Sequence, residues 1–319
     1  MMEYRPLGRT DLNISILGFG AAPFGNAYGE TYPEELNRAV FHAINHGINF
    51  FDVAPYYGIT LAESRLGVAL EGRRNEVVLM TKCGRYGLHD FDFSAARLYK
   101  SIDESLERLK TDRVDILLAH DIEFAGMKQI VEETIPALEA IKKQGKTRFI
   151  GVSGLPLGVL IGAVQTDKLD VVLSYCRYNV LIRDLDQHLT PMAQKHGVGL
   201  INASPLHMGT LTAKGAPDWH PAPQDVKNAG RAMFEYCEAR GLSLPQVALR
   251  MALDYSPVAT TLVGMSNVSE VERNIKTLDA ASDPELLDHL RAIAGPAFNK
   301  TWESGRPENS DRLLPTSQA

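Results

Sequence analysis

The chain has 319 residues, 45% of them hydrophobic and 23% charged, a composition that excludes a disordered, charge-rich polymer and fits an ordinary globular protein. Lys plus Arg is 33 against 39 Asp plus Glu, a net charge of −6, which argues against a nucleic-acid-binding surface. No apolar run approaches the ~20 residues needed to span a bilayer, the N-terminus Met1-Met2-Glu3-Tyr4-Arg5-Pro6 lacks a signal-peptide core, and Cys83, Cys176 and Cys237 are too few and scattered for a disulfide framework. The expected setting is therefore reducing and cytoplasmic, and the glycosylation triplets at Asn13, Asn267 and Asn299 read as chance.

In chain order, Ile14 to Gly18 is expected as the first strand. Ile48 to Phe51 follows as the second, and a helix after it is opened by a capping box, Thr60-x-x-Glu63. Val77 to Met80 is a third strand. Ser94 then caps a helix whose apolar residues Leu98, Ile102, Leu106 and Leu109 recur with a helical period. Val114 to Leu118 is a fourth strand. The helix after it stops at Gly145, and Pro136 either starts or kinks it. Arg148 to Val152, Asp170 to Tyr175, Gly199 to Ala203 and Ala259 to Gly264 complete eight strand–helix units. Alternation of this kind implies parallel strands with crossover helices. Eight units in one chain predict a closed (β/α)8 TIM barrel over residues 1–295, an open doubly wound sheet being the alternative. Thr212 to Val226, with three prolines and Trp219, is expected as a long loop. Residues 296–319 are expected as a polar, mobile tail.

In such a barrel, chemistry sits at the C-terminal ends of the strands. Asp52 ends the second apolar run, Lys82 the third and His120 the fourth, spaced by 30 and 38 residues. Three successive strands would thus bring them to one rim, with Tyr57 on the loop five residues beyond Asp52. Taken singly, each is more often structural; their joint placement points to chemistry. A lysine beside a phenol is expected to lower its pKa from ~10, an aspartate to hold the lysine, and a neutral histidine to orient a substrate oxygen. The set suits acid–base catalysis at an alcohol or carbonyl carbon. With no thiol, serine nucleophile or metal triad in view, the hydride would come from a cofactor. His42 and His46 lack a third ligand, Gly18-x-Gly20 lacks the third glycine of a dinucleotide fingerprint, and Gly151-Val152-Ser153-Gly154 is not a nucleophile elbow.

Several segments together resemble the aldo-keto reductase family across nearly the whole chain. They are Leu17-Gly18-Phe19-Gly20, Asn49-Phe50-Phe51-Asp52, Tyr56-Tyr57-Gly58, Glu63-x-x-Leu66-Gly67, Thr81-Lys82, Ser101-x-x-x-Ser105-Leu106-x-x-Leu109 and Gly145-Lys146-x-Arg148-x-Ile150-Gly151-Val152-Ser153. The resemblance implies that Tyr57 transfers the proton, with Asp52, Lys82 and His120 completing a tetrad. Within the family, Lys82 to Tyr86, Phe91 to Ser94, His120 to Phe124, Leu173 to Cys176 and Trp219 to Ala222 are most similar to sugar dehydrogenases, in first place those oxidising L-galactose and next those acting on L-fucose or D-threo-aldoses. It implies oxidation of the C1 hydroxyl of an aldose to a lactone, here L-galactono-1,4-lactone, with a small sugar as substrate and neither nucleic acid nor membrane as partner.

For the cofactor, the resemblance implies Gly20 and Ala21 at the first strand's end, Ser153 and Ser174 at a nicotinamide carboxamide, Ser204, Leu206, Gly209 and Leu211 along a pyrophosphate, and Gly264, Ser266, Glu270 and Asn274 at the adenosine end. Three departures stand out. Gly154 replaces the asparagine many members carry after Ser153. Ala203 replaces a stacking tyrosine. Glu270 stands where NADP-dependent members have an arginine four residues before Asn274, which implies NAD, although Lys276 lies close enough in sequence to reach a phosphate. Trp219, Tyr86, Phe124 and His207 are candidate sugar-pocket residues. An NADPH-dependent aldehyde or ketone reductase is the alternative activity, and a non-catalytic, channel-associated subunit the alternative class.

Overall fold

A computed structural model describes residues 1–311. A short antiparallel hairpin, β1 (Tyr4–Pro6) and β2 (Asn13–Ser15), precedes eight parallel strands: β3 (Leu17–Gly20), β4 (Phe50–Asp52), β5 (Val78–Cys83), β6 (Val114–Ala119), β7 (Thr147–Gly154), β8 (Val171–Tyr175), β9 (Gly199–Ala203) and β10 (Thr260–Gly264). They pair in chain order, and β10 returns to pair with β3 through Leu262↔Gly18 and Gly264↔Gly20, closing the barrel. The expected first strand, Ile14 to Gly18, is in fact split. Its first half belongs to the hairpin, and only Leu17 onward enters the barrel. A continuous apolar run hides this break, because Ile14 and Leu17 are both fully buried, one under the barrel and one in its wall.

The barrel carries two apolar layers. Inward side chains Phe50, Met80, Ile116, Leu118, Val171, Leu173 and Ile201 fill the interior, and Leu7, Leu12 and Ile14 of the hairpin region seal its lower mouth. The alternate residues, such as Phe19, Phe51, Leu79, Leu117 and Val172, face the helices, as the period-two geometry of strands requires. The helix Ala95–Arg108 is capped by Ser94, whose side chain accepts from the Arg97 N–H. The capping box at Thr60 does not form: Thr60 has φ 74 and makes no side-chain cap, and Glu63 is buried, accepting from Thr81 (2.6 Å) and Arg108 (2.7 Å). Pro136 lies in the first turn of the helix Ile135–Lys143, which follows directly on a single π-helical stretch, Ile130–Thr134, so the proline's missing N–H falls where the α-helical ladder begins.

The loop from Thr212 is irregular until the helix Gln224–Glu238. Residues 296–311 are docked rather than mobile. Asn309 Nδ2 donates to the carbonyls of Glu123 and Ala125 (2.7 and 2.8 Å), and Asp311 accepts from Arg177 (2.6 Å) and from the N–H groups of Leu157 and Gly158 at a helix start. Ala297, Phe298 and Trp302 also pack on the core, and the polar bonds reach sequence-distant groups that local composition does not announce. The rest of the expected tail, 312–319, lies outside the described residues. No helix among the described residues is long and apolar enough to cross a membrane.

Candidate active site

At the C-terminal rim, Asp52 closes β4, Lys82 is the penultimate residue of β5 and His120 follows β6. Register places them side by side, with Asp52 opposite Met80 and Lys82 opposite Leu118. Lys82 Nζ donates to Asp52 Oδ1, to the Val53 carbonyl (3.0 Å) and to the Tyr57 hydroxyl (3.2 Å). The His120 ring meets the Tyr57 ring edge-to-face at 5.8 Å. All four predicted groups therefore share one site.

Tyr57 is presented by a strained loop. Ile59 and Thr60 have φ 50 and 74, a conformation unfavourable for β-branched residues. Gly58 (φ 63) packs against Gly25 so closely that a Cβ on Gly25 would lie 2.4 Å from the Gly58 nitrogen. The loop after β4 is thereby clamped against the turn after β3.

The electrostatics differ from the sequence expectation in one respect. The net shift of Tyr57 is upward despite the adjacent lysine. Burial, reinforced by the carboxylates of Asp52 and Asp121, pushes the phenol well above its ordinary value against the pull of Arg85. The ammonium of Lys82 is compensated by Asp52, with which it is buried. Burial likewise raises the Asp52 carboxyl against the opposing pull of Lys82. His120 is pushed far down by burial and by the cations Lys82 and Arg85, so its imidazole is neutral at pH 7. The resting site thus holds a protonated phenol and a neutral imidazole, able to donate a proton as it stands and to accept one only after the phenol ionises.

A cleft of about 1130 Å³ runs from Asp52 and Tyr57 across the ends of β9, β10 and β3 to the start of the helix Val268–Lys276. Gly20, Ser204, Leu206, Gly209, Gly264, Ser266, Glu270 and Asn274 line it. Four of the candidate cofactor residues do not. Ala21 is buried below, donating its N–H to the Asp52 carbonyl (2.8 Å). Leu211 is buried in the core. Ser174 lies on the outer face of β8, between inward Leu173 and Tyr175. Ser153 is buried, its Oγ accepting the Asp121 N–H (3.2 Å).

The cleft also holds residues the sequence reading passed over. Arg273, rather than Lys276, is the cation beside Glu270, while Tyr28 and Met208 wall the middle. Left-handed backbone at Ser204, His207, Met208 and Gly209 (φ 60, 49, 47 and 98) shapes the loop after β9, and such strain gathers at ligand loops. The ring missing at Ala203 has a counterpart next door: Tyr175 pairs with Ala203 across β8 and β9 and faces the barrel interior. The asparagine missing at 154 has a counterpart too. A Cβ on Gly154 would lie 2.6 Å from Glu123 Oε2, so the buried Glu123 carboxyl, pushed up to about 8 by burial and by Asp121, takes that space.

The candidate sugar-pocket residues divide. Trp219 is half exposed and leans on Tyr28 at the cleft mouth (5.8 Å). Phe124 stacks on Phe91 (4.0 Å) near Arg85. Tyr86 is buried, its hydroxyl accepting the Gly84 N–H. His207 is fully buried between His220 and Trp302, near Asn179 Nδ2 (3.2 Å), and burial lowers it to about 3. Tyr86 and His207 are packing residues, an outcome that aromaticity on a loop cannot signal.

An elongated cleft with an acid–base cluster at one end, and with Arg273, Asn274 and a helix N-terminus at the other, fits a dinucleotide whose redox ring reaches Tyr57 and whose anionic part lies toward the helix. Residues 16–294 match the model of the Aldo/keto reductase family. The chain is 46% identical over 318 residues to a protein from Arabidopsis thaliana named L-galactose dehydrogenase, covering 97% of this chain and 99% of that one. It is 28% identical to a Pseudomonas D-threo-aldose 1-dehydrogenase, over 82% of this chain and 89% of that one. Among solved structures, the holo form of an aldo-keto reductase from Bacillus halodurans superposes with a TM-score of 0.77 at 26% identity, over 95% of this chain and 99% of that one.

Proposed function

This chain belongs to the aldo/keto reductase family, and from that premise we propose that it is an NAD-dependent aldose 1-dehydrogenase whose substrate is L-galactose, oxidised at C1 to the lactone. The observation that carries the reading is the Tyr57 hydroxyl held 3.2 Å from Lys82 Nζ beside a neutral His120, at the end of a nucleotide-sized cleft. The extended similarity to the Arabidopsis protein supports the sugar.

When bound, the nicotinamide cofactor supplies the hydride acceptor. Tyr57, having first released its own proton to solvent, takes the proton of the C1 hydroxyl as the phenolate. Lys82, anchored by Asp52 and the Val53 carbonyl, stabilises that phenolate until it is protonated. His120 orients the reacting oxygen through a hydrogen bond that costs no charge. Ser204, Leu206 and Gly209 would hold the pyrophosphate, and Gly264, Ser266, Glu270 and Asn274 the adenosine.

Preference for NAD rests on Glu270. Its Oε2 accepts from the N–H and Oγ of Ser266 (2.7 and 2.9 Å), leaving Oε1 for a ribose hydroxyl and opposing a 2′-phosphate. Arg273 in the same cleft end works in the other direction, and the carboxylate is placed nearer the cap of the helix. A second reading, carbonyl reduction, is favoured by one observation, the protonated resting state of Tyr57. Turnover of an aldose panel, followed by the absorbance of reduced nicotinamide, separates them. Fast reduction of NAD with L-galactose supports the proposal. Activity confined to NADPH and aldehydes replaces it with the reductase. No turnover with either supports a non-catalytic subunit.

A further inference from the structure

We propose that Arg85 and Asp121 read the hydroxyls beside the reacting carbon, as a donor–acceptor pair matched to a vicinal diol. The proposal rests on the aldose reading above. Arg85 lies three residues beyond Lys82 and Asp121 directly follows His120, so both stand on the rim that carries the acid–base cluster. Arg85 Nη1 donates to Asp121 Oδ2, and that same oxygen is 3.7 Å from His120 Nε2. Both charges are felt at Tyr57, in opposite directions.

The pair is rigidly presented and incompletely satisfied. The guanidinium lies over the Tyr56 ring at 3.8 Å and within 5.2 and 5.5 Å of the stacked rings of Phe91 and Phe124. Tyr56 in turn meets His120 edge-on at 6.0 Å. Asp121 sits in the left-handed region (φ 56), its N–H bonded to Ser153 Oγ. Yet Asp121 Oδ1 and Arg85 Nε are buried without a partner among the described residues, and Arg85 Nη2 donates to none. Unpaired buried polar atoms are costly in a native structure and call for an explanation. Here two donor nitrogens and one acceptor oxygen stand idle on residues three and one positions beyond Lys82 and His120, groups that act on C1.

The chemistry selects the ligand. An isolated guanidinium would suit an anion, but Asp121 neutralises this one. What remains is a fixed N–H edge beside a carboxylate oxygen. A neutral diol meets both requirements, since one hydroxyl accepts from Arg85 while its neighbour donates to Asp121. A simple aldehyde or alcohol satisfies neither and leaves the site's polar groups unpaired, the situation in which enzymes discriminate most strongly.

The test compares kcat/KM for L-galactose and for its 2-deoxy analogue, with NAD, in the wild type and in Arg85→Met and Asp121→Asn. The wild type should prefer L-galactose. Each variant should lose about 10- to 100-fold on L-galactose, the worth of a charge-assisted hydrogen bond. The variant of the residue that reads the C2 hydroxyl should lose less than about threefold on the analogue, while the other, whose hydroxyl remains, loses on both. Equal losses on both sugars in both variants would overturn the proposal in favour of a purely structural pair. Far-UV circular dichroism checks folding. If neither variant folds, the wild type decides alone: equal efficiency on the two sugars overturns the hydroxyl reading while leaving the aldose reading standing. No turnover of either sugar by the wild type overturns the aldose reading itself, and this proposal with it.

Discussion

Gly25 is the residue through which the position of Tyr57 can be tested without touching the chemistry. A methyl group at Gly25 would lie 2.4 Å from the Gly58 nitrogen and 2.6 Å from the Tyr57 carbonyl carbon, where ordinary contact begins at 3.4 Å. Both obstacles are backbone, so no rotamer relieves them, and Gly25 itself is not in the left-handed region, so Gly25→Ala acts as a wedge alone. The loop bearing Tyr57 must retreat by about 1.0 Å, the difference between 3.4 and 2.4 Å. That lengthens the 3.2 Å contact between Tyr57 and Lys82 beyond hydrogen-bond range. A misplacement of this size costs on the order of 100-fold in rate, and overpacking costs about 1–3 kcal/mol of stability. Steady-state kinetics with L-galactose and NAD should therefore show kcat reduced about 100-fold. Cofactor affinity, read by fluorescence quenching, should change far less, and Tm should fall by about 2–4 °C for each kcal/mol lost. Gly126→Ala, where an added methyl meets nothing within 4 Å, should behave as wild type and serves as the control. A kcat for Gly25→Ala within about threefold of wild type would refute the claim that the Gly25–Gly58 contact sets the catalytic geometry.

Tyr57→Phe should lower kcat by about 10²–10⁴-fold with cofactor binding intact; retained turnover would remove its proton-transfer role. Because burial holds the phenol above its ordinary value, the ionised form needed for oxidation grows about tenfold per pH unit below that pKa. Oxidation should therefore climb with pH through neutrality into the alkaline range, while reduction stays level there; a flat oxidation profile would contradict the assignment. Glu270→Ala removes the carboxylate facing the adenosine end and should raise the NADP-to-NAD ratio of kcat/KM by on the order of tenfold; an unchanged ratio would place selectivity elsewhere. Asp311→Asn weakens the bond to buried Arg177 and the anionic cap on the helix at Leu157. It should cost about 1–3 kcal/mol in thermal unfolding, and an unchanged Tm would show that the docked C-terminal segment adds nothing to stability.

Much of this molecule was legible in one dimension. Strand–helix alternation read from apolar runs identifies eight barrel strands, because strands buried on both faces are continuous apolar runs bounded by turns. Asp52, Lys82 and His120 are legible as a set because each ends such a run, and a parallel barrel sends every run's end to the same rim. The misread features share a physical cause. Ile14 to Gly18 is one apolar run but two elements, since a run records burial and not the partner that buries it. Thr60 has the residues of a cap but not the backbone angles. Tyr86, His207 and Trp219 are equally aromatic, and only packing separates the two that fill the interior from the one at the cleft mouth.

Residue chemistry and spacing along the chain thus determined the barrel and the meeting of Asp52, Tyr57, Lys82 and His120 at one rim, because these depend on local pattern and on a topology that strand order imposes. The tertiary structure alone decided what the tetrad's groups are at rest. The protonation of Tyr57 is a balance between burial and charges contributed by β4, β5 and β6, separated by dozens of residues. It likewise decided that Glu123 fills the space left by Gly154, that Tyr175 stands beside Ala203, and that Arg85 and Asp121 meet at His120. Each is a contact across strands, and the distance between two side chains on different strands is set by register and closure, which no local pattern encodes.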